Sequence, residues 1–149
     1  MKRLAFVAFV LLAASATATA LGARSGQPPI FATPLAAATV QQPYSITMRK
    51  PGDVIIVRVK VAPGGSFGWH SHRSAVAVVV MSGTLTLYAS NGCSAKTFGR
   101  GQGFVEPANH VHLARNEGSA PVLLYATYLG SPHGANPNVP ATQPTGCNV

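Results

Sequence analysis

Apolar and polar residues alternate with a two-residue period in several short stretches of the chain, and turn-forming residues separate these stretches. Alternation of this kind predicts half-buried β-strands, whereas a continuous run of valine and alanine predicts a strand buried on both faces. The valine- and alanine-rich run is 74–81. The alternating or β-branched stretches are 54–61, 84–88, 103–106, 111–115 and 122–129. The turn signals between them are Pro63-Gly64-Gly65, Ser82-Gly83 and Asn91-Gly92.

Helices are not predicted after the first twenty residues, because no later stretch combines the spacing of an amphipathic helix with capping residues. Many short strands separated by turns are typical of a sandwich, a jelly roll or a small barrel. The length of 149 residues suits one domain. The pattern therefore predicts an all-β barrel, whose interior can surround a small ligand cavity.

The N-terminal residues have the layout of a secretory signal peptide. Met1-Lys2-Arg3 is a positive start, Leu4 to Ala14 is apolar, and Ala18-Thr19-Ala20 offers a small-x-small cleavage site. The apolar run is shorter than the roughly 20 residues that span a bilayer. We predict a secreted, periplasmic or cell-envelope protein that is cleaved after Ala20, or as a second choice after Ala23, with no stable membrane insertion afterwards.

The composition divides the remaining chain into three parts. Residues 21–43 are rich in proline, alanine, glycine and glutamine, which predicts a flexible lead-in whose last part pairs with the barrel edge. Residues 44–130 contain the predicted strands of the barrel. Residues 131–149 form a proline-rich C-terminal tail.

The chain has two cysteines, Cys93 and Cys147. An even number of cysteines in an oxidising compartment favours a disulfide, which here would tie the tail to the loop at Asn91-Gly92. Two free thiols or metal ligands are the alternative, but the spacing has no resemblance to a Cys-x-x-Cys site.

The sequence is basic, with 11 Lys and Arg against 3 acidic residues and a formal net charge of +8. Basic surfaces can bind nucleic acid or anionic membranes. The basic residues of this chain stand singly, apart from Arg49-Lys50, and no basic stripe alternates with aromatic residues. The charge therefore indicates a solvated surface with mild affinity for anionic envelopes, and no nucleic acid partner is expected.

Four of the 5 histidines fall into two His-x-His pairs, His70-Ser71-His72 and His110-Val111-His112. Residues two apart on a strand project from the same face, so each pair can present two imidazoles in one direction. Imidazole nitrogen is a ligand for zinc, copper, iron and nickel. Because burying four imidazoles without partners is costly, the two pairs favour a metal site over ordinary core or surface histidines.

The spacing of these histidines among glycines resembles the two motifs of the cupin superfamily. The first motif matches at Gly64, His70, His72, position 76 and Gly83, and the second at Gly101, Pro107, Asn109, His112 and Asn116. Val76 stands where the family normally has glutamate, and Asn109 stands where it often has glycine. The resemblance covers about Asp53 to Leu129 and implies a double-stranded β-helix, or jelly-roll, barrel.

The resemblance implies that His70, His72 and His112 are metal ligands in the mouth of the barrel. His110 has no ligand counterpart in the family pattern and is expected to lie beside the ligands or to line the pocket. Glu106 is a candidate fourth ligand or general base, although a solvated turn residue is the favoured interpretation.

Val76 makes the expected site all-imidazole. Such a site lacks the oxygen donor that manganese prefers, which favours iron, zinc, copper or nickel. Three-histidine cupin sites resemble those of iron dioxygenases. Two functions stay open: a metal-dependent oxygenase or isomerase acting on a small oxygenated molecule, and a non-catalytic cupin that binds a metal or small ligand. A homo-oligomer is also left open.

Overall fold

The computed structural model describes residues 30–149, and this part of the chain contains ten strands. They are β1 (Thr39–Val40), β2 (Asp53–Val61), β3 (Ser66–His72), β4 (Ala75–Ser82), β5 (Thr84–Ala89), β6 (Ala95–Gly99), β7 (Gln102–Glu106), β8 (His112–Arg115), β9 (Val122–Ser131) and β10 (Asn138–Pro140). The predicted signal peptide lies outside the described residues. Within them, no helix is long and apolar enough to cross a membrane.

The strands form two five-stranded sheets, in the orders β1-β7-β4-β9-β2 and β10-β3-β8-β5-β6. Residues 35–149 belong to one compact unit. All pairings are antiparallel except the short parallel contact of β1 with β7. The expected all-β jelly-roll barrel is confirmed, and so is the pairing of the lead-in with the barrel edge.

The main core follows from alternation along the strands. Val76, Val78 and Val80 of β4 are buried and face the interior, while the residues between them are half-buried. The prediction that this strand is buried on both faces therefore holds fully for one face only. Leu85 of β5 and Phe104 of β7 complete the centre of the core. Burial of these side chains from both sheets holds the sheets together.

Three strands are missing from the sequence-based prediction, namely β3, β6 and β10. Their sequences are short, polar or interrupted by glycine and proline, so neither alternation nor β-propensity identifies them. Each is a strand because a neighbouring strand pairs with it: β8 with β3, β5 with β6, and β3 with β10.

The C-terminal tail is bound to the barrel by a strand and by a disulfide. The predicted Cys93–Cys147 disulfide is present, with a Cα–Cα distance of 5.4 Å. The side chain of Cys147 is fully buried and packs with Trp69 and Leu113 in a second apolar cluster. Because β10 pairs directly with β3, the tail is an ordered part of the second sheet rather than a coil.

Asn116, directly after β8, connects this strand to the end of β2, to the β2–β3 turn and to the segment before β9. Its buried side chain donates hydrogen bonds to the carbonyl oxygens of Val61 and Ala120, at 3.0 and 2.9 Å, and accepts one from the Gly118 N–H. Its backbone N–H and carbonyl bond to Gly65 and Gly64 in the β2–β3 turn. These contacts give Asn116 a structural role.

Candidate metal centre

Strands β3 and β8 bring three histidines together. His70 and His112 are direct partners in the antiparallel ladder, and His72 projects from the same face as His70. The ring centroids of the three imidazoles lie 4.4, 4.9 and 5.0 Å apart. All three side chains are buried, and one nitrogen from each lies within 4.8 Å of the others. The structure therefore assembles the three predicted ligands in one cluster.

Backbone carbonyls fix the orientation of each ring. The Nδ1 atoms of His70, His72 and His112 donate to the carbonyl oxygens of Gly68, Pro137 and His110, at 2.9, 3.2 and 2.9 Å respectively. A carbonyl oxygen only accepts, so the proton of each neutral imidazole is on Nδ1. Each Nε2 then has a free lone pair. A carbonyl partner of this kind is usual for histidines that bind metals.

Two residues with left-handed backbone conformations support this arrangement. Gly68 has a φ of +68° at an irregularity in the β3–β8 pairing, and its carbonyl reaches the His70 ring. Asn109 has a φ of +60°, and its N–H donates to the carbonyl of His72 at 2.7 Å. Asparagine tolerates this conformation better than most residues other than glycine. This explains why asparagine stands at a position where the cupin pattern often has glycine.

Glu106 joins the histidine cluster from the last position of β7. It is 6% exposed, and its carboxylate oxygens lie 3.1 Å from Nε2 of His72 and 3.2 Å from Nε2 of His112. The expectation that Glu106 is a solvated turn residue is therefore wrong. Glu106 is the direct cross-strand partner of Val76 in the β4–β7 ladder. The carboxylate that is missing at position 76 thus enters the site from the adjacent strand.

The carboxylate and the imidazoles shift one another's protonation. Burial raises the pKa of Glu106, but the nearby His112 and His72 outweigh burial and lower it to about 2. Burial lowers the pKa of His112, but Glu106 outweighs burial and holds this pKa above its usual 6.5. For His70, burial and the neighbouring histidines lower the pKa below 6.5. The cluster therefore contains an ionised carboxylate and at least one neutral imidazole near neutral pH.

The same atoms fit a bound cation. Nε2 of His72 and Nε2 of His112 have no hydrogen bond of acceptable geometry in the described chain, despite their closeness to Glu106. Lone pairs of three imidazoles and an ionised carboxylate converge in a buried space, which is costly unless a proton or a metal ion lies between them. Nitrogen and oxygen donors in this number suit a divalent transition metal.

Other candidate residues lie outside the cluster. The exposed His110 side chain lines a cavity next to the site, while its carbonyl orients His112. His133 is exposed and forms a hydrogen bond with Asp53, away from the cluster. The Tyr128 ring, 5.3 Å from the His72 ring, and the carbonyl of Pro137 contact the site without any signal in the sequence. Only the tertiary structure places these two residues at the histidines.

Comparison with known proteins agrees with this geometry. The profile of the cupin domain family matches residues 57–128. Germin-like protein 5-1 of Oryza sativa subsp. japonica is 37% identical over 103 residues, which cover 60% of this chain and 45% of that protein. The chain belongs to the cupin superfamily. This cupin spans less than half the length of the curated relative that it matches.

Solved structures share the fold of this cupin. A structure of the DMSP lyases RdDddP and RnDddQII is 22% identical, has a TM-score of 0.52, and covers 60% of this chain and 44% of that chain. The polyketide cyclase RemF from Streptomyces resistomycificus is 17% identical, also has a TM-score of 0.52, and covers 62% of this chain and 66% of that chain. At these identities the likeness concerns the fold alone.

Proposed function

We propose that this cupin binds a divalent transition metal through His70, His72 and His112, with the carboxylate of Glu106 as a fourth donor. The observation that supports the proposal is the fixed direction of the rings. Each Nδ1 is bound to a backbone carbonyl, so each Nε2 lone pair is left for a cation. The buried carboxylate beside them supplies negative charge.

Glu106 changes the choice of metal. An all-imidazole site would disfavour manganese, but the Glu106 carboxylate lies beside the imidazoles of His72 and His112 and can supply an oxygen donor. Manganese therefore joins iron, zinc, copper and nickel as a candidate. The carboxylate would also neutralise part of the charge of a divalent ion, so the site attracts anions less strongly than three imidazoles alone would.

The centre is suited to chemistry on a small molecule. A bound divalent metal polarises oxygen atoms of a ligand as a Lewis acid and, if it is redox-active, supports oxygen chemistry. Four protein donors would leave two positions open on a six-coordinate ion such as iron or manganese, whereas they would fill a tetrahedral zinc site, so a catalytic centre requires an ion of higher coordination number. A cavity of about 400 Å³ reaches Glu106 and His112, and His110 at its wall is placed to exchange a proton with a ligand. We therefore favour an oxygenase or isomerase over a purely ligand-binding cupin.

The disulfide supports a location outside the cytoplasm. Cys93 and Cys147 are joined, and such disulfides persist in oxidising compartments. We propose that the protein is exported and acquires its metal in the envelope or outside the cell.

Metal analysis of purified protein tests the proposal directly. Metal is first removed with a chelator, and each candidate ion is then loaded separately. The wild type should bind one ion per chain, whereas the metal content of His72→Ala should stay at the level of metal-free protein. His133→Ala is the matched control, because His133 is exposed and remote from the cluster, and it should bind like the wild type. The proposal fails if the folded wild type binds no stoichiometric metal under any loading condition. Oxygen uptake with diketones and thiols then separates catalysis from binding alone.

Acid should release the metal. In the metal-free protein the pKa of His112 lies above 6.5, so a proton competes with the metal for its Nε2 below that pKa. We expect the apparent affinity to change little above this pKa and to fall about tenfold per pH unit below it, since binding displaces at least one proton. Titration with a chromophoric chelator at several pH values measures the slope. An affinity that is independent of pH across this range would contradict the assignment of His112.

A further inference from the structure

The cavity that reaches Glu106 and His112 lies between two walls. One wall is the segment from Thr39 to Tyr44 together with β7, and the other is formed by β5, β6 and the residues that follow β5. Val40, Leu87, Phe98, Phe104 and Val111 give the walls an apolar surface. The volume of about 400 Å³ is within the range of small-molecule sites. The inner end of the cavity reaches Glu106 and His112.

One cationic side chain, Lys96, lines this cavity. Its ammonium lies 5.3 Å from the centroid of the Phe98 ring, a distance typical of a cation–π contact. The side chain is exposed, which places it at the open side of the cavity. Strand β6 lies two strands from β8, and the register offsets Lys96 from His112 by two residues, so their backbone positions are separated by about 12 Å in the sheet.

Lys96 forms no ion pair with an acidic residue within residues 30–149. The sequence has 3 acidic residues. Asp53 pairs with His133, Glu106 contacts the histidine cluster, and Glu117 accepts a hydrogen bond from the Tyr88 hydroxyl. The net charge of +8 adds a general attraction for anions. The cavity therefore has a positive group at its open side, apolar walls, and Glu106 and His112 of the histidine cluster at its inner end.

We infer that this cavity binds a small organic carboxylate, with its carboxylate at Lys96 and its apolar body between the walls. Glu106 would repel the carboxylate at the inner end, which sets the orientation. The separation of about 12 Å between the backbones of Lys96 and His112 leaves room for an extended molecule such as an aryl-propenoate. The assignment of the inner end as the reacting end depends on the proposed metal function, whereas the recognition by Lys96 does not.

Calorimetric titration of metal-free protein tests this inference with trans-cinnamate and its uncharged amide, cinnamamide. We expect the wild type to bind cinnamate about tenfold more tightly than cinnamamide, the effect of one charge-assisted hydrogen bond. Lys96→Met should abolish this preference, and Lys96→Arg should keep most of it. Lys60→Met is the matched control, because Lys60 is exposed on β2 and does not line the cavity. Equal cinnamate affinity in Lys96→Met and wild type, or no saturable cinnamate binding to folded wild type, would overturn the inference.

A variant that fills the cavity gives an independent readout. Val40 lies on β1 and lines the cavity, so Val40→Trp should weaken the binding of both probes about equally while leaving the metal stoichiometry unchanged. Unchanged binding of both probes in Val40→Trp would place them elsewhere and count against the inference.

The metal proposal and the carboxylate proposal can fail independently of each other. Normal probe binding without any metal binding removes only the metal centre, whereas normal metal binding without cinnamate selectivity removes only the carboxylate site.

Discussion

Replacing Cys93 and Cys147 together by alanine is expected to lower the free energy of unfolding by about 4 kcal/mol, the loop-closure estimate for a crosslink across 54 residues. The loss corresponds to roughly a thousandfold change in the unfolding equilibrium. Denaturant titration of the oxidised wild type and the double variant measures the difference. Because Cys147 is buried against Trp69 and Leu113, the variant also loses packing in the second apolar cluster.

Reduced wild type separates the crosslink from the packing. It keeps both sulfur atoms, so its stability should lie close to that of the double variant if loop closure dominates. A loss below about 1 kcal/mol in both proteins would mean that the crosslink constrains the unfolded chain far less than the loop-closure estimate requires.

The same double variant should bind metal more weakly. The disulfide holds the tail from which the Pro137 carbonyl accepts the Nδ1 hydrogen of His72. Loss of such a partner typically lowers metal affinity by 10- to 100-fold. We therefore expect about a tenfold decrease in affinity, measured without denaturant at a temperature well below the unfolding midpoint. An unchanged affinity would show that β10 stays paired with β3 without the disulfide.

Removing the carboxylate of Glu106 is expected to have the second large effect. Glu106→Val should weaken metal binding by about a hundredfold or more, because even groups that only orient ligands contribute 10- to 100-fold. Metal-free Glu106→Val should be less stable than metal-free wild type, because removing one partner of a buried charged cluster leaves the other partner uncompensated. The imidazoles can lose a proton, so the loss should be smaller than for a permanently charged partner. Competition with a chelator measures the affinity, and thermal unfolding with and without metal measures the stability.

Exchange of the two cross-strand residues provides the decisive comparison. In the Val76→Glu/Glu106→Val double variant, the carboxylate moves to the direct partner position on β4. The side chains of such partners lie on the same face of the sheet. We therefore expect the double variant to bind metal at least about tenfold more tightly than Glu106→Val. Glu117→Val, which removes an exposed carboxylate, is the control. Wild-type affinity in a folded Glu106→Val protein would show that Glu106 is not a donor.

The strands with regular apolar alternation were predictable from the sequence. β2, β5 and β9 contain β-branched or alternating apolar residues that identify them, and β4 is identified by its continuous run of valine and alanine. β6 and β10 have little apolar alternation and depend on their partners, β5 and β3. Local sequence does not contain the information that decides pairing between distant segments.

The candidate site was predictable only in part. The two His-x-His pairs indicate four candidate histidines, and the resemblance to the cupin motifs selects His70, His72 and His112 from them. Glu106 was misjudged because it precedes Pro107, which suggests a turn, whereas its burial depends on the β4–β7 register. Lys96 and Pro137 have no local signal, since their relation to the site arises only when β6 and the tail join the second sheet.

The contact between His72 and Pro137 joins residues 65 positions apart and has a consequence for the order of assembly. A chain that emerges from its N-terminus presents His70 and His72 long before β10 is available. Contacts between such distant residues form late, because a long loop must close first. A metal ion that arrives early would therefore meet imidazoles that still rotate. Stable metal binding would require that Pro137 and β10 have already joined the second sheet.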